Sequence, residues 1–186
     1  MHFSVSDYVL DIVHNSIQAG ASTITLRVES DYSQTSVVVE DDGVGMTNDE
    51  ITLALNPFYT DGKKHRTRKV GLGLPFLAQA MEATGGRLDV ESTKHVGTSV
   101  RFGFDAGHLD APPIGSLVDC FVACMAFDEN YELSIYRRCD DRSYELSRND
   151  LREVLDGFAD VGARSLLRQF VESAEMETCG GIEWRR

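Results

Sequence analysis

Three short stretches put chemically capable side chains at telling spacings. In "DIVHN", Asp11 and Asn15 are four residues apart. On a helix that spacing places both on one face. The amide oxygen of Asn15 is a neutral ligand of the kind a hard cation such as Mg2+ takes, and a carboxylate one turn away can orient or deprotonate a water. A solvated helix face that also carries Gln18 would explain the same pair without chemistry. In "VEDDGVGM", Asp41 and Asp42 end an alternating apolar run, and Gly43 and Gly45 flank one valine before Met46. Gly and Asp are ordinary turn formers; a carboxylate pinned at a strand end beside such a turn also suggests that something is read there. In "KVGLGLPF", Lys69 precedes Gly71, Leu72, Gly73 and Leu74 at the mouth of a helical pattern. Glycines there let backbone N–H groups approach a phosphate, and the helix dipole favours the anion. Pro75 suits the first turn of that helix.

These side chains need elements to hold them. Apolar residues from Asp7 to Ala19 recur at helical spacing, with Ser6 or Asp7 as a possible cap and Gly20 as a stop. "STITLRVE" and "TSVVVED" alternate and predict two strands of a hairpin. Thr47 followed by Glu50 is a capping box for a short helix. Residues 56–70 then lose all periodicity, and a loop of that length inside a compact domain is usually functional. A helix from the Gly71–Leu74 stretch to Gly85 and Gly86 follows, then strands at "RLDVES" and "TSVRFGF". "DAGHLDAPP" reads as a linker. Beyond it the pattern predicts a helix over Ile114–Phe127, strands at Tyr131–Arg137 and Ser143–Leu146, and helices near Arg148–Leu155 and Ala163–Glu175. The expected division is a domain over 1–105 and a small α/β extension over 114–186. Four strands and three helices in the first part suit a two-layer α/β sandwich of the α+β class.

Composition narrows the functions. The chain has 186 residues, is 42% hydrophobic and carries a formal net charge of −12. Such acidity argues against a general nucleic-acid binder, which needs a basic face. Residues 1–104 hold 13 acidic and 9 basic residues, a net of −4, so the C-terminal part is the more acidic. The basic cluster "KKHRTRK" stands out against this, as a solvated loop or a seat for a compact anion. No apolar run approaches the roughly 18 residues of a membrane span, and the N-terminus lacks the pattern of a signal peptide, so a cytoplasmic protein is expected. Cys120, Cys124, Cys139 and Cys179 lack Cys-x-x-Cys spacing and predict buried free thiols.

Taken in order, the motifs resemble those of the GHKL superfamily of ATP-binding domains, over about residues 3–104. "DIVHNSIQAGA" is similar to the N box, which implies Asp11 at the catalytic acid position and Asn15 as the magnesium ligand. "DDGVGM" is similar to the Asp-x-Gly-x-Gly box. This implies that Asp41 accepts a hydrogen bond from the adenine amino group, with Gly43, Gly45 and Met46 beneath the nucleotide. "GLGL" resembles the second glycine box, and "VGTSVRF" the Gly-Thr box with Thr98 near the adenine. "NPFYTDGKK" resembles the lid of the histidine-kinase-like branch, where Thr60 and Lys63 or Lys64 approach the phosphates, with Lys69 at the lid's far end. The resemblance implies a Bergerat-type fold and ATP and Mg2+ as cofactors. It further implies a regulatory protein partner and a possible homodimer, while the charge and hydropathy above predict no nucleic acid and no membrane.

The sequence departs from the family in three places. Asp11 stands where hydrolysing members commonly have Glu. Asp61-Gly62 replaces a second lid threonine. No phosphoacceptor helices are expected ahead of Asp11, and His2, His14, His65, His95 and His108 lack a helical dimerisation pattern. Three outcomes stay open: an ATPase, a kinase acting in trans like anti-sigma-factor kinases, and a non-catalytic nucleotide-gated switch.

Overall fold

The computed structural model describes residues 3–56 and 73–180. Helix α1 (Val5–Gln18) buries Val5, Val9, Ile12, Val13 and Ile17 along one stripe. The sequence points to Ser6 or Asp7 as its cap; the structure puts Ser4 there. Ser4 Oγ accepts from the Asp7 N–H, and the Asp7 carboxylate accepts from the Ser4 N–H at 2.9 Å. The extra turn forms because the linker carbonyls of Pro113 and Ile114 accept from the Val5 and Ser6 N–H groups. Those donors would otherwise be orphaned at a helix start.

Strands β1 (Thr23–Ser30) and β2 (Gln34–Asp41) form the expected antiparallel hairpin. Asp31 closes it by accepting from the Ser33 and Gln34 N–H groups, each at 2.8 Å. Helix α2 (Asn48–Ala54) opens with the predicted Thr47/Glu50 capping box. Helix α3 (Gly73–Thr84) leads to β3 (Arg87–Thr93) and β4 (Gly97–Asp105). Helix α4 (Leu117–Met125) is shorter than the predicted Ile114–Phe127, because Gly115 has φ +76° and Ser116 caps through its hydroxyl. Strands β5 (Glu132–Cys139) and β6 (Arg142–Ser147) and helices α5 (Arg148–Val154) and α6 (Val161–Cys179) complete the chain.

All six strands join one sheet in the order β3-β4-β2-β1-β5-β6. Ile24, Leu26, Val28, Val37, Val39, Val100, Phe102, Leu133 and Ile135 are buried on its core face. They pack beneath the layer of α1, α3, α4 and α6. Each such side chain contributes about 1.5–3 kcal/mol on leaving water. The other face is polar and carries ion pairs such as Arg101 with Glu40 at 3.0 Å. Alternation along β1, β2, β4 and β5 thus produces the two-layer α+β sandwich. The sheet runs across the 105/114 boundary. Strand β5 lies parallel to β1, pairing Leu133 with Ile24 and Ile135 with Leu26, and so covers what would be an open sheet edge.

Arg148 anchors this C-terminal half. It is 2% exposed. Its guanidinium donates to the carbonyls of Met125 (2.9 Å), Phe127 (2.7 Å) and Tyr131 (2.7 Å), and lies 4.0 Å from the Tyr131 ring centroid. The turn from α4 to β5 is therefore wrapped around one cation. Its Phe127 stacks on His14 of α1, with ring centroids 5.1 Å apart. All four cysteines are buried and free, as predicted. Among the described residues no helix is long and apolar enough to cross a membrane. Arg148→Ala strands three carbonyls, those of Met125 and Tyr131 buried and that of Phe127 part-buried, and is expected to cost about 3 kcal/mol or more. Urea unfolding measures this, and a loss under ~1 kcal/mol would contradict the clamp.

Candidate functional site

The site lies where β2, β4 and β3 end beneath α1. Sheet register sets its back wall. Asp41 pairs with Thr98, and Thr98 pairs with Ser92, so three polar side chains stand in line across three strands. In front of them is a cavity of about 280 Å³. Asn15, Ser16, Asp41 and Thr98 line it together with Ile12, Ala19, Val44, Gly45, Met46, Ala54, Leu74 and Val100. An apolar slot with a few convergent polar groups on one side suits a flat heteroaromatic ring.

Asp41 is held by both oxygens. Ser16 Oγ donates to Oδ2 at 2.7 Å and the Gly43 N–H donates to Oδ1 at 2.9 Å. A carboxylate has about four lone-pair sites, so acceptor capacity remains for a ligand. Asp42 does different work. Its Oδ1 accepts from the Ser22 and Thr23 N–H groups at 2.7 and 2.8 Å, which ties the glycine loop to the start of β1. Those bonds, with the Thr23 N–H foremost, hold its pKa below the ordinary value.

The glycines of the loop serve packing. Gly45 has φ +61°, and a Cβ there would overlap the Thr93 carbonyl oxygen. At Gly43 the need is space, since a Cβ would press on Asp41 and Ala19. The loop is bound at both ends: the Val44 N–H donates to Ala19 O at 3.0 Å, and the His95 N–H donates to Val44 O at 2.7 Å. Met46 donates its N–H to Ser92 Oγ at 2.7 Å.

Asn15 and Asp11 meet on α1 as their spacing requires. Asn15 Nδ2 donates to Asp11 Oδ2 at 3.2 Å. Asn15 is exposed at the cavity mouth, and among the described residues its amide oxygen accepts no hydrogen bond, so it could take a cation; Asp11 is half-buried one turn away. A Cβ on Gly73 would overlap the Asp11 carboxylate, so the first residue of α3 passes directly over it. Burial raises the Asp11 pKa, and the bond from Asn15 opposes the rise. Leu74 joins the cavity wall. Thr60, Lys63, Lys64, Lys69, Gly71 and Leu72 lie outside the described residues.

Two residues of the site escape sequence reasoning. Ser16 sits on the buried stripe of α1, four residues after Ile12, where an apolar residue would be ordinary; a small polar residue inside that stripe was the available signal. Ser92 lies on β3 and is visible only through register.

The profile of the histidine kinase-, DNA gyrase B- and HSP90-like ATPases matches residues 4–108. The chain belongs to that family, and it carries an ATP-binding domain of the histidine-kinase-like kind. Sensor histidine kinase YxdK of Bacillus subtilis (strain 168) is 31% identical over 106 residues, 56% of this chain and 32% of the relative. Cell-division control histidine kinase PdhS of Brucella anthropi is 29% identical over 129 residues, 62% of this chain and 12% of the relative. The chain thus spans under a third of either kinase. The solved N-terminal domain of a DNA repair protein shares the fold over 86% of this chain and 58% of its own, with TM-score 0.56 and 16% identity. That likeness extends past the family match, into the C-terminal half.

Gly45→Ala is expected to abolish nucleotide binding, since its Cβ meets a backbone carbonyl at a strained φ; unchanged affinity in calorimetry would contradict the packing described. Asp11 yields a pH prediction. An acid whose folded pKa is raised contributes stability fully present below its unfolded value, near 3.8, and lost as pH rises through the folded value. Asp11→Asn removes that loss. The variant is expected to melt higher than wild type at neutral pH, with the difference vanishing below pH 3.8.

Proposed function

We propose that this protein binds Mg-ATP and couples its slow hydrolysis, or transfer of its γ-phosphoryl group, to control of a partner protein. The carrying observation is the Asp41 carboxylate, fixed by Ser16 and Gly43 and facing an apolar slot. An ionised carboxylate accepts and does not donate, so it suits the exocyclic amine of adenine and disfavours the carbonyl of guanine. Gly43, Gly45 and Met46 form the floor under the ring, and Thr98 flanks Asp41. Asn15 would hold Mg2+ through its amide oxygen, and a cation there would supply charge to neutralise the phosphates.

The phosphates are placed towards α3, whose N-terminus adjoins Asp11. Gly73 and Leu74 open that helix, and Thr60, Lys63, Lys64, Lys69, Gly71 and Leu72 are assigned to the phosphates by their place in the lid and second glycine motifs. Asp11 is assigned as the base that orients a water or an acceptor hydroxyl. A cytoplasmic setting, a regulatory partner and a homodimer fit this reading. A specific observation favours a second one. The Asp11 carboxylate is engaged by Asn15 and, among the described residues, does not line the cavity. A short acid held back in this way suits a nucleotide-gated switch that turns over little.

Incubation with γ-labelled ATP, alone and in host extract, separates the outcomes. Slow release of labelled phosphate or a labelled protein is expected. Neither product, with ATP still bound, supports the switch. The two carboxylates are expected to fail differently. Asp41→Asn places an amide donor against Ser16, Gly43 or the adenine amine and loses a charge-assisted bond worth about 1.5–3 kcal/mol. Affinity is then expected to fall roughly tenfold or more. Asp11→Asn is expected to keep binding and lower any turnover by about 100-fold. The reverse pattern, or equal affinity for ATP and GTP, would overturn the assignment.

A further inference from the structure

Ser92 has three polar neighbours and one proton. Its Oγ lies 2.7 Å from the Met46 nitrogen, 2.9 Å from the Gly97 carbonyl oxygen and 2.8 Å from Thr98 Oγ1. These partners are not interchangeable. A backbone N–H only donates, a carbonyl only accepts, and a hydroxyl does one of each with its single proton. One assignment alone makes all three contacts hydrogen bonds. Ser92 accepts from Met46, gives its proton to Gly97 and accepts a second proton from Thr98. The Thr98 proton is then directed at Ser92, and its oxygen keeps only lone pairs for the cavity that Thr98 lines.

We propose that Ser92 is a specificity-determining positioning residue: it holds Thr98 as a pure acceptor beside Asp41, so that the site takes a 6-amino purine and rejects a 6-carbonyl one. The inference rests on the adenine assignment made above and deepens it. Asp41 and Thr98 are cross-strand partners on one face of the sheet, with side chains about 5 Å apart. The exocyclic amine has two hydrogens. Two acceptors at that separation take both, directly or through one water. A carbonyl at the same ring position meets two acceptors and stays unpaired, which costs affinity. Asp41 alone would answer only one of the two hydrogens.

Calorimetric titration with ATP and with inosine triphosphate, which carries a carbonyl in place of the amine, tests this. In Ser92→Ala the Thr98 proton is free to turn into the cavity. The preference for ATP over inosine triphosphate is expected to shrink roughly fivefold, the worth of one neutral hydrogen bond. Ser92→Thr restores the hydroxyl and is expected to restore the preference. Thr98→Val tests the same polarity even where Ser92→Ala fails to fold. Towards the cavity it removes an acceptor and no donor, so ATP is expected to weaken roughly fivefold and inosine triphosphate to hold. An unchanged preference in folded Ser92→Ala overturns the inference, as does Thr98→Val weakening both nucleotides alike. Equal affinity of the wild-type protein for the two nucleotides is a separate failure, that of the adenine assignment itself, and the inference falls with it.

Discussion

The site depends on a half-buried carboxylate that a helix and a loop satisfy at once. Asp41 ends β2, Ser16 belongs to α1, and Gly43 lies in the loop from β2 to α2. A carboxylate taken from water needs such partners, because an unpaired buried charge costs several kcal/mol. Satisfying it fixes the height of α1 over the sheet and the path of the loop together. The cavity is the space that remains once those positions are set. Its polar rim and apolar walls therefore have a common origin in how one end of the sheet is closed.

The same end of the sheet explains why the loop is built of small residues. Gly45 lies against the Thr93 carbonyl, and a Cβ on Gly97 would overlap the Asp41 carbonyl. Gly45 in the loop after β2 thus makes way for the end of β3, and Gly97 on β4 for the end of β2, in addition to any approach by a ligand. Packing and binding constrain the same positions. Polar groups on this wall satisfy one another: the Met46 N–H and the Thr98 hydroxyl donate to Ser92, which donates to the Gly97 carbonyl, so both hydroxyl protons are committed within the wall.

The C-terminal half is joined to this arrangement by the sheet and by one stack. Strand β5 covers the edge of β1, and α4 lies along α1. The turn between α4 and β5 is wrapped around Arg148, and Phe127 within it stacks on His14. His14 immediately precedes Asn15. The helix that carries the candidate metal ligand is therefore braced from the C-terminal side through a buried cation, which makes residues 114–180 a physical neighbour of the site.

How much of this was legible beforehand follows from the range of the interactions involved. Local pattern determined the elements: alternation marked β1 to β4, the Thr47/Glu50 box marked α2, and four-residue spacing put Asp11 and Asn15 on one face. The motif order Asp11–Asn15, Asp41–Gly45, Gly71–Gly73, Gly97–Thr98 carried the family. Each of these signals lives within a few residues, where helix and strand geometry are set. What tertiary structure decided involves partners distant in sequence. The cap at Ser4 depends on carbonyls at 113 and 114, and the C-terminal strands extend the first sheet because β5 finds β1 across about a hundred residues. Ser16 and Ser92 entered the site for the same reason. A lone serine carries no periodic signal, and only the height of α1 and the register of β3 against β4 bring its hydroxyl to Asp41 or Thr98.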